Sequence, residues 1–196
     1  MAVTVAVIWA AAAPRPDVVI ASDGRGFALR GADGRLAVHY GGGDSFAMRE
    51  WLAADADGRD VHDPSLGQGI ACDPSGCIGR LADGTVVSYV LTPEAFEEDC
   101  ARAAIVVASR GEPPADCRAT IVARALWRQR GALVLRRRGA DVVIDSARPK
   151  NFDRPWSPAA APREPLAGTL ANSKQGERAD SGRDATPHQE DIEADQ

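Results

Sequence analysis

The fold is decided in the segment Val18–Tyr40, VVIASDGRGFALRGADGRLAVHY. Three short apolar runs, Val18–Ala21, Phe27–Arg30 and Leu36–Tyr40, are separated by Ser22-Asp23-Gly24 and Ala32-Asp33-Gly34. Asp-Gly between apolar runs is a strong hairpin signal, because both residues tolerate the positive φ that tight turns between twisted strands require. The segment therefore predicts a three-stranded antiparallel meander.

Downstream, Gly41-Gly42-Gly43 frees the chain before a helix that Asp44 or Ser45 can cap, with Phe46, Met48, Trp51 and Leu52 partly at helical spacing. This helix is expected to end near Ala56. Asp55 to Gln68 is polar and Gly-rich and reads as a loop. A second hairpin region follows: Ile70–Cys72, Cys77–Leu81 and Thr85–Leu91, joined by Asp73-Pro74-Ser75-Gly76 and Asp83-Gly84. Thr92-Pro93 opens a second helix to about Arg102, with Glu94, Glu97 and Glu98 at its positive dipole end. The uninterrupted apolar run Ala104–Ala108 predicts a strand buried on both faces. Ala119–Val122 predicts another strand and Ala123–Arg128 a helical turn. Leu133–Arg136 and Val142–Asp145 predict a closing hairpin around Arg138-Gly139-Ala140.

This β-rich, α+β-like pattern of mixed α/β elements occupies residues 17–150. Before it, residues 1–16 hold the uncharged run Ala2–Ala13 and Pro14-Arg15-Pro16. The run is shorter than the roughly 20 residues a membrane-spanning helix needs. It fits the stub of a longer transmembrane helix better than a buried first helix, because the prolines suit an exit at the membrane interface. After Pro149 the chain is polar and proline-punctuated, so residues 151–196 are expected to form a disordered tail.

Of the 196 residues, 44% are apolar and 26% charged, as in soluble globular proteins, while aromatics at 5% leave the core to Val, Ile, Leu and Ala. Ser157–Gln196 contains four basic and eight acidic residues, a balance of −4 out of −5 for the whole chain. The body is thus nearly neutral, and the low isoelectric point says little about its partners.

Four cysteines, Cys72, Cys77, Cys100 and Cys117, permit two disulfides in three connectivities. A bridge between Cys72 and Cys77 across the turn suits facing strand positions, and Cys100 and Cys117 can form the other. The alternative is four reduced thiols, and disulfides are favoured if the domain is exported. The four-residue gap between Cys72 and Cys77, with no second close pair, does not match a zinc ribbon. His39, His62 and His188 lie far apart and show no metal-binding spacing. No nucleophile elbow or phosphate-binding loop is present, and the Gly-rich stretches read as turns. No catalytic or metal-binding residue and no cofactor is expected. A metal-dependent hydrolase remains the rival reading. It would have to draw on Asp23, Asp44, Asp73 or Asp83 with His39 and His62, although Asp at turns ordinarily stabilises the turn itself.

Arg118–Lys150 holds nine basic residues against Asp141 and Asp145. Within it, Arg128, Arg130, Arg136, Arg137 and Arg138 beside Trp127 are candidate contacts for a nucleic-acid backbone.

Several segments, in order and spacing, resemble the region after the last membrane helices of ComEC-type DNA-uptake (competence) proteins. They are PRPDVVIASDGRGFALRGADGRLAV (Pro14–Val38), FAMREWLAADAD (Phe46–Asp57), the Cys72–Cys77 hairpin, AFEEDCARAAIVVASR (Ala95–Arg110), WRQRGALVLRRRG (Trp127–Gly139) and RPW (Arg154–Trp156). The resemblance implies a partial or degenerate metallo-β-lactamase-like sandwich, the C-terminal portion of a membrane channel protein that passes single-stranded DNA inward. The family's histidine-rich metal motif has no counterpart here: Arg110-Gly111 stands where a His-His-Gly-Ser-like loop often follows a strand. The expected role is a non-catalytic, extracytoplasmic accessory part of a competence apparatus at the inner membrane, present here as a fragment. Single-stranded DNA and a channel portion of the same system are its expected partners, with no small-molecule substrate. A disulfide-stapled envelope interaction module is the third reading.

Overall fold

A computed structural model describes residues 14–42, 45–139 and 141–148, together with Thr4. The rest of the apolar run, Asp44 and the tail after Arg148 lie outside the described residues.

The meander forms as its turns dictate. Strands β1 (Val18–Ile20), β2 (Gly26–Arg30) and β3 (Leu36–Tyr40) pair antiparallel, with Val19 opposite Ala28 and Ala28 opposite Val38. The closing hairpin, β9 (Leu133–Arg138) and β10 (Asp141–Ser146), joins its free edge, so that Val19 also faces Val134. The first sheet therefore has the order β10-β9-β1-β2-β3.

The second sheet has the order β4-β5-β6-β7-β8. Strands β4 (Ile70–Cys72), β5 (Gly76–Arg80) and β6 (Val86–Val90) are antiparallel, whereas β7 (Ile105–Ala108) and β8 (Thr120–Ala123) run parallel to β6. The parallel pairing requires a crossover from β6 to β7. It is supplied by a 3₁₀ turn (Pro93–Ala95) and a short helix (Phe96–Arg102).

Alternation along the strands sends side chains to two different layers. Val18, Ile20, Phe27, Leu29, Leu133 and Leu135 of the first sheet meet Val87, Tyr89, Ile105, Val107 and Val122 of the second. The other face of the first sheet, with Val19, Ala28, Leu36 and Val38, is covered by helix α1 (Ser45–Ala54) and a 3₁₀ turn (Pro64–Gly67) through Leu52 and Leu66. The other face of the second sheet, with Val90, Val106 and Ala108, lies under the crossover helix, here α2, through Phe96 and Ala103. The result is a β-rich α+β sandwich of four layers: helix, sheet, sheet, helix. All four residues of β7 are buried, as the run Ala104–Ala108 predicts.

Three boundaries differ from expectation. Helix α1 stops at Ala54, and Ala56 takes a positive φ of 55°. The loop after it contains the 3₁₀ turn, started by Pro64 and capped by Asp63, whose carboxylate accepts from Ser65 N–H at 2.9 Å. Thr92 precedes the Pro93 turn without capping it through its side chain, and the α-helix proper begins three residues later than the proline.

Candidate functional site

The turn between β1 and β2 borders a polar cavity. Gly24 has φ +67°, and a Cβ on it would lie 2.4 Å from Nε1 of Trp127. A Cβ on Gly26 would lie 2.2 Å from Cδ2 of Tyr40. Gly24 is therefore needed for both backbone conformation and contact, and Gly26 for contact alone. Tyr40 donates its hydroxyl to Asp23 Oδ2 at 2.9 Å, and Asp23 Oδ1 accepts from Arg25 N–H at 2.9 Å. Tyr89 of β6 donates to the Gly24 carbonyl. Three aromatic side chains from three elements thus pin one short turn.

Against this turn lie the C-terminal ends of the parallel strands. They deliver Leu91, Ser109, Arg110 and Arg124, the last being the first residue of helix α3 (Arg124–Arg130). In open α/β sheets ligands bind at this end of the strands. Turn and strand ends, with His39 and Gly41, enclose a cavity of about 460 Å³. Ser109 donates to the Val90 carbonyl at 2.5 Å, which fixes the floor.

The rim is cationic. Arg25, Arg110 and Arg124 are exposed and form no ion pair among the described residues. Asp23 is the sole carboxylate lining the cavity, and it is already engaged by Tyr40. Burial holds the His39 imidazole below the usual histidine range, so it is neutral at neutral pH. Burial pushes the Tyr89 hydroxyl above its ordinary value, opposed by the nearby Ser109 and Arg110, so it remains a donor. Three arginines thus line a cavity whose one carboxylate already accepts from Tyr40.

The basic residues singled out in the sequence are dispersed. Along β9, Arg136 and Arg138 share one face and Arg137 the other, as strand alternation requires. Arg136 pairs with Asp145 across the hairpin. Arg137 pairs with Asp83 at 3.1 Å and donates its backbone N–H to Asp17 at 2.7 Å. Arg138 is exposed and Arg130 half-buried. Arg128 is exposed on α3 one turn after Arg124, on the same helix face. Trp127 is not the stacking platform its position suggested, because it is 2% exposed and closes the core between the sheets.

Both expected disulfides are formed, so the four-free-thiol alternative is set aside. Cys72 and Cys77 face each other across the β4–β5 hairpin with Cα atoms 4.0 Å apart. Cys100 of α2 joins Cys117 in the loop before β8, with Cα atoms 5.1 Å apart.

Of the hydrolase set, Asp23 and His39 line the same cavity, Asp44 lies outside the described residues, and His62, Asp73 and Asp83 do not line it. Asp73 accepts from Ser75 N–H at 2.8 Å and Gly76 N–H at 2.9 Å, and Asp83 accepts from Thr85 N–H at 2.9 Å, each closing its own turn. His62 is exposed, and its backbone N–H donates to Asp60. Among the described residues, the one group of three able to share a cation is His39, Cys72 and Cys77, which the sequence reading missed. No local spacing reveals it, because His39 and Cys72 come from different sheets. A larger trough of about 1030 Å³ lies beside the Cys100–Cys117 bridge. It mixes Glu97, Glu112 and Asp116 with Arg118 and apolar side chains, with no convergent chemistry.

No helix among the described residues is long and apolar enough to cross a membrane. No family model, curated protein or solved structure matches the chain.

Proposed function

We propose that this domain is a non-catalytic accessory part of a DNA-uptake apparatus of the ComEC type that its sequence resembles, and that it holds single-stranded DNA by its phosphates. The observation that carries this reading is the cationic cleft: Arg25, Arg110 and Arg124 line one polar cavity without ion-pair partners among the described residues, and Arg128 follows one turn later along α3. Arginine forks suit phosphate oxygens in geometry as well as charge. The four-layer sandwich supports the metallo-β-lactamase-like likeness. The two disulfides support an extracytoplasmic placement, since such bridges persist in oxidising compartments.

Titration of a fluorescent single-stranded oligonucleotide, read by anisotropy over a salt series, tests the proposal. Arg110→Glu with Arg124→Glu is expected to weaken binding by at least about tenfold and to flatten the salt slope by about 1.4, from two lost phosphate contacts. Arg136→Glu, which removes a guanidinium already paired with Asp145, should change affinity much less. Equal affinity for wild type and the double variant would remove the cleft from the reading. Failure of the wild type to bind at all would favour an envelope interaction module held by its bridges.

A further inference from the structure

We propose that the Cys72–Cys77 hairpin and His39 form a redox-gated zinc site, closed as a disulfide and opened to the metal by reduction. Three observations place the ligands. The donor atoms of His39, Cys72 and Cys77 lie within 4.8 Å of one another. His39 Nδ1 stands 3.5 Å from Cys72 Sγ. Tetrahedral zinc with Zn–N and Zn–S bonds of about 2.05 and 2.3 Å separates its nitrogen and sulfur ligands by about 3.6 Å, so this pair already has the required spacing. The sulfurs must then move apart to about 3.8 Å, again from a Zn–S bond of about 2.3 Å. Breaking the bridge and turning the side chains supplies that movement, because the two residues face each other directly across the hairpin.

The surroundings suit a ligand set rather than a chance contact. The His39 ring is held against Phe27, with ring centroids 5.7 Å apart. Cys77 is 1% exposed and Cys72 is exposed, so one sulfur is open to an incoming thiol and the other is anchored in the core. Two thiolates and an imidazole are a borderline-soft set that selects zinc over calcium or magnesium. Three protein ligands leave a fourth position for water or a substrate atom.

The chemistry balances with a dithiol reductant. A thiolate of the dithiol attacks Cys72 Sγ, forming a mixed disulfide and releasing Cys77 as thiolate. The second thiol of the reductant then displaces Cys72, and the reductant leaves as its own disulfide. The hairpin has gained two electrons and two protons. Zinc binding releases both protons as two Zn–S bonds and one Zn–N bond form.

The test uses the full chain with zinc or cobalt(II) alone as probe. Oxidised protein should bind neither metal at this site. After dithiol treatment and removal of the reductant, one cobalt should bind with a thiolate charge-transfer band and tetrahedral d–d absorption, and zinc should displace it. His39→Ala and Cys72→Ser should each weaken zinc at least tenfold. Cys100→Ala with Cys117→Ala should leave the cobalt spectrum unchanged. Reduced wild type that shows no tetrahedral cobalt spectrum overturns the proposal, whether it stays folded or unfolds and is not refolded by zinc. Binding indifferent to both His39→Ala and Cys72→Ser overturns it equally.

Discussion

The two outer layers of the sandwich solve one problem by different chemistry. Each must hold a short helix and an irregular segment against a sheet. Over the first sheet the fasteners are buried ion pairs. Arg30 grips Asp55 through two bonds of 3.0 and 2.6 Å and donates to the carbonyls of Pro16 and Gly34. Arg59 binds Asp57 and donates to the Leu36 carbonyl at 2.6 Å. Over the second sheet the fasteners are a covalent bridge, Cys100–Cys117, and a buried hydroxyl–carboxyl bond of 2.6 Å from Ser88 to Asp99. The first layer therefore depends on charge and the second on oxidation state.

The largest effect expected from breaking this contrast is at Arg30. Its side chain is 10% exposed and that of Asp55 8%, so Arg30→Met leaves a carboxylate buried without its partner. The expected loss is about 3–5 kcal/mol, measured by denaturant unfolding. Adding Asp55→Leu should restore much of it, because the unpaired charge is gone. A loss below about 1 kcal/mol in the single variant would show that the pair is a surface-type contact, not a fastener.

The matching experiment on the other layer removes a bridge. Cys100→Ala with Cys117→Ala opens a loop of sequence separation 17, worth about 3 kcal/mol, while Cys72→Ala with Cys77→Ala opens one of separation 5, worth about 2 kcal/mol. Hydrogen exchange should report the first loss locally, in α2 and the segment up to β8, with the amides of α1 unchanged. Loss of protection spread evenly over both layers would mean that the layers do not open separately.

Much of this arrangement was legible in the chain, and the limits have physical reasons. The meander and the second hairpin region were readable because Asp-Gly turns and apolar runs are local signals. The buried strand β7 was readable because four successive apolar residues can only be covered on both faces. The join of β9 to β1 was not, since it pairs residues more than a hundred positions apart with nothing local to set the register. Arg30 and Arg59 look like ordinary solvated charges, and burial gives them their role. The contrast between Arg136 and Arg137 was available from strand alternation alone, which puts neighbours on opposite faces and splits a run of three arginines. His39 beside Cys72 depends on two sheet edges meeting, and no periodicity encodes that.

Acid offers the smallest and most selective test. Hydrogen bonds from Arg59 hold the Asp57 carboxyl below its usual value, and those from Ser65 do the same for Asp63. Asp73, Asp83 and Glu94 are likewise lowered by their turn partners, Ser75, Thr85 and Thr92. For each, the unfolded chain binds its proton at higher pH than the fold does. Their stabilisation is complete above the unfolded carboxylate value of about 4 and drains as pH falls through the lower folded value. The sites are unequal, however. Asp57 is 7% exposed and faces a guanidinium that is 11% exposed, so protonating it strips a buried charge of its partner. The other four carboxylates sit at exposed or half-exposed turns where water replaces what is lost. The bridges of the second layer do not titrate in this range. Hydrogen exchange below pH 4 should therefore show residues 55–67 losing protection before α2 and β7. If α2 opened first, or both layers together, the division between a charge-fastened and a disulfide-fastened face would fail.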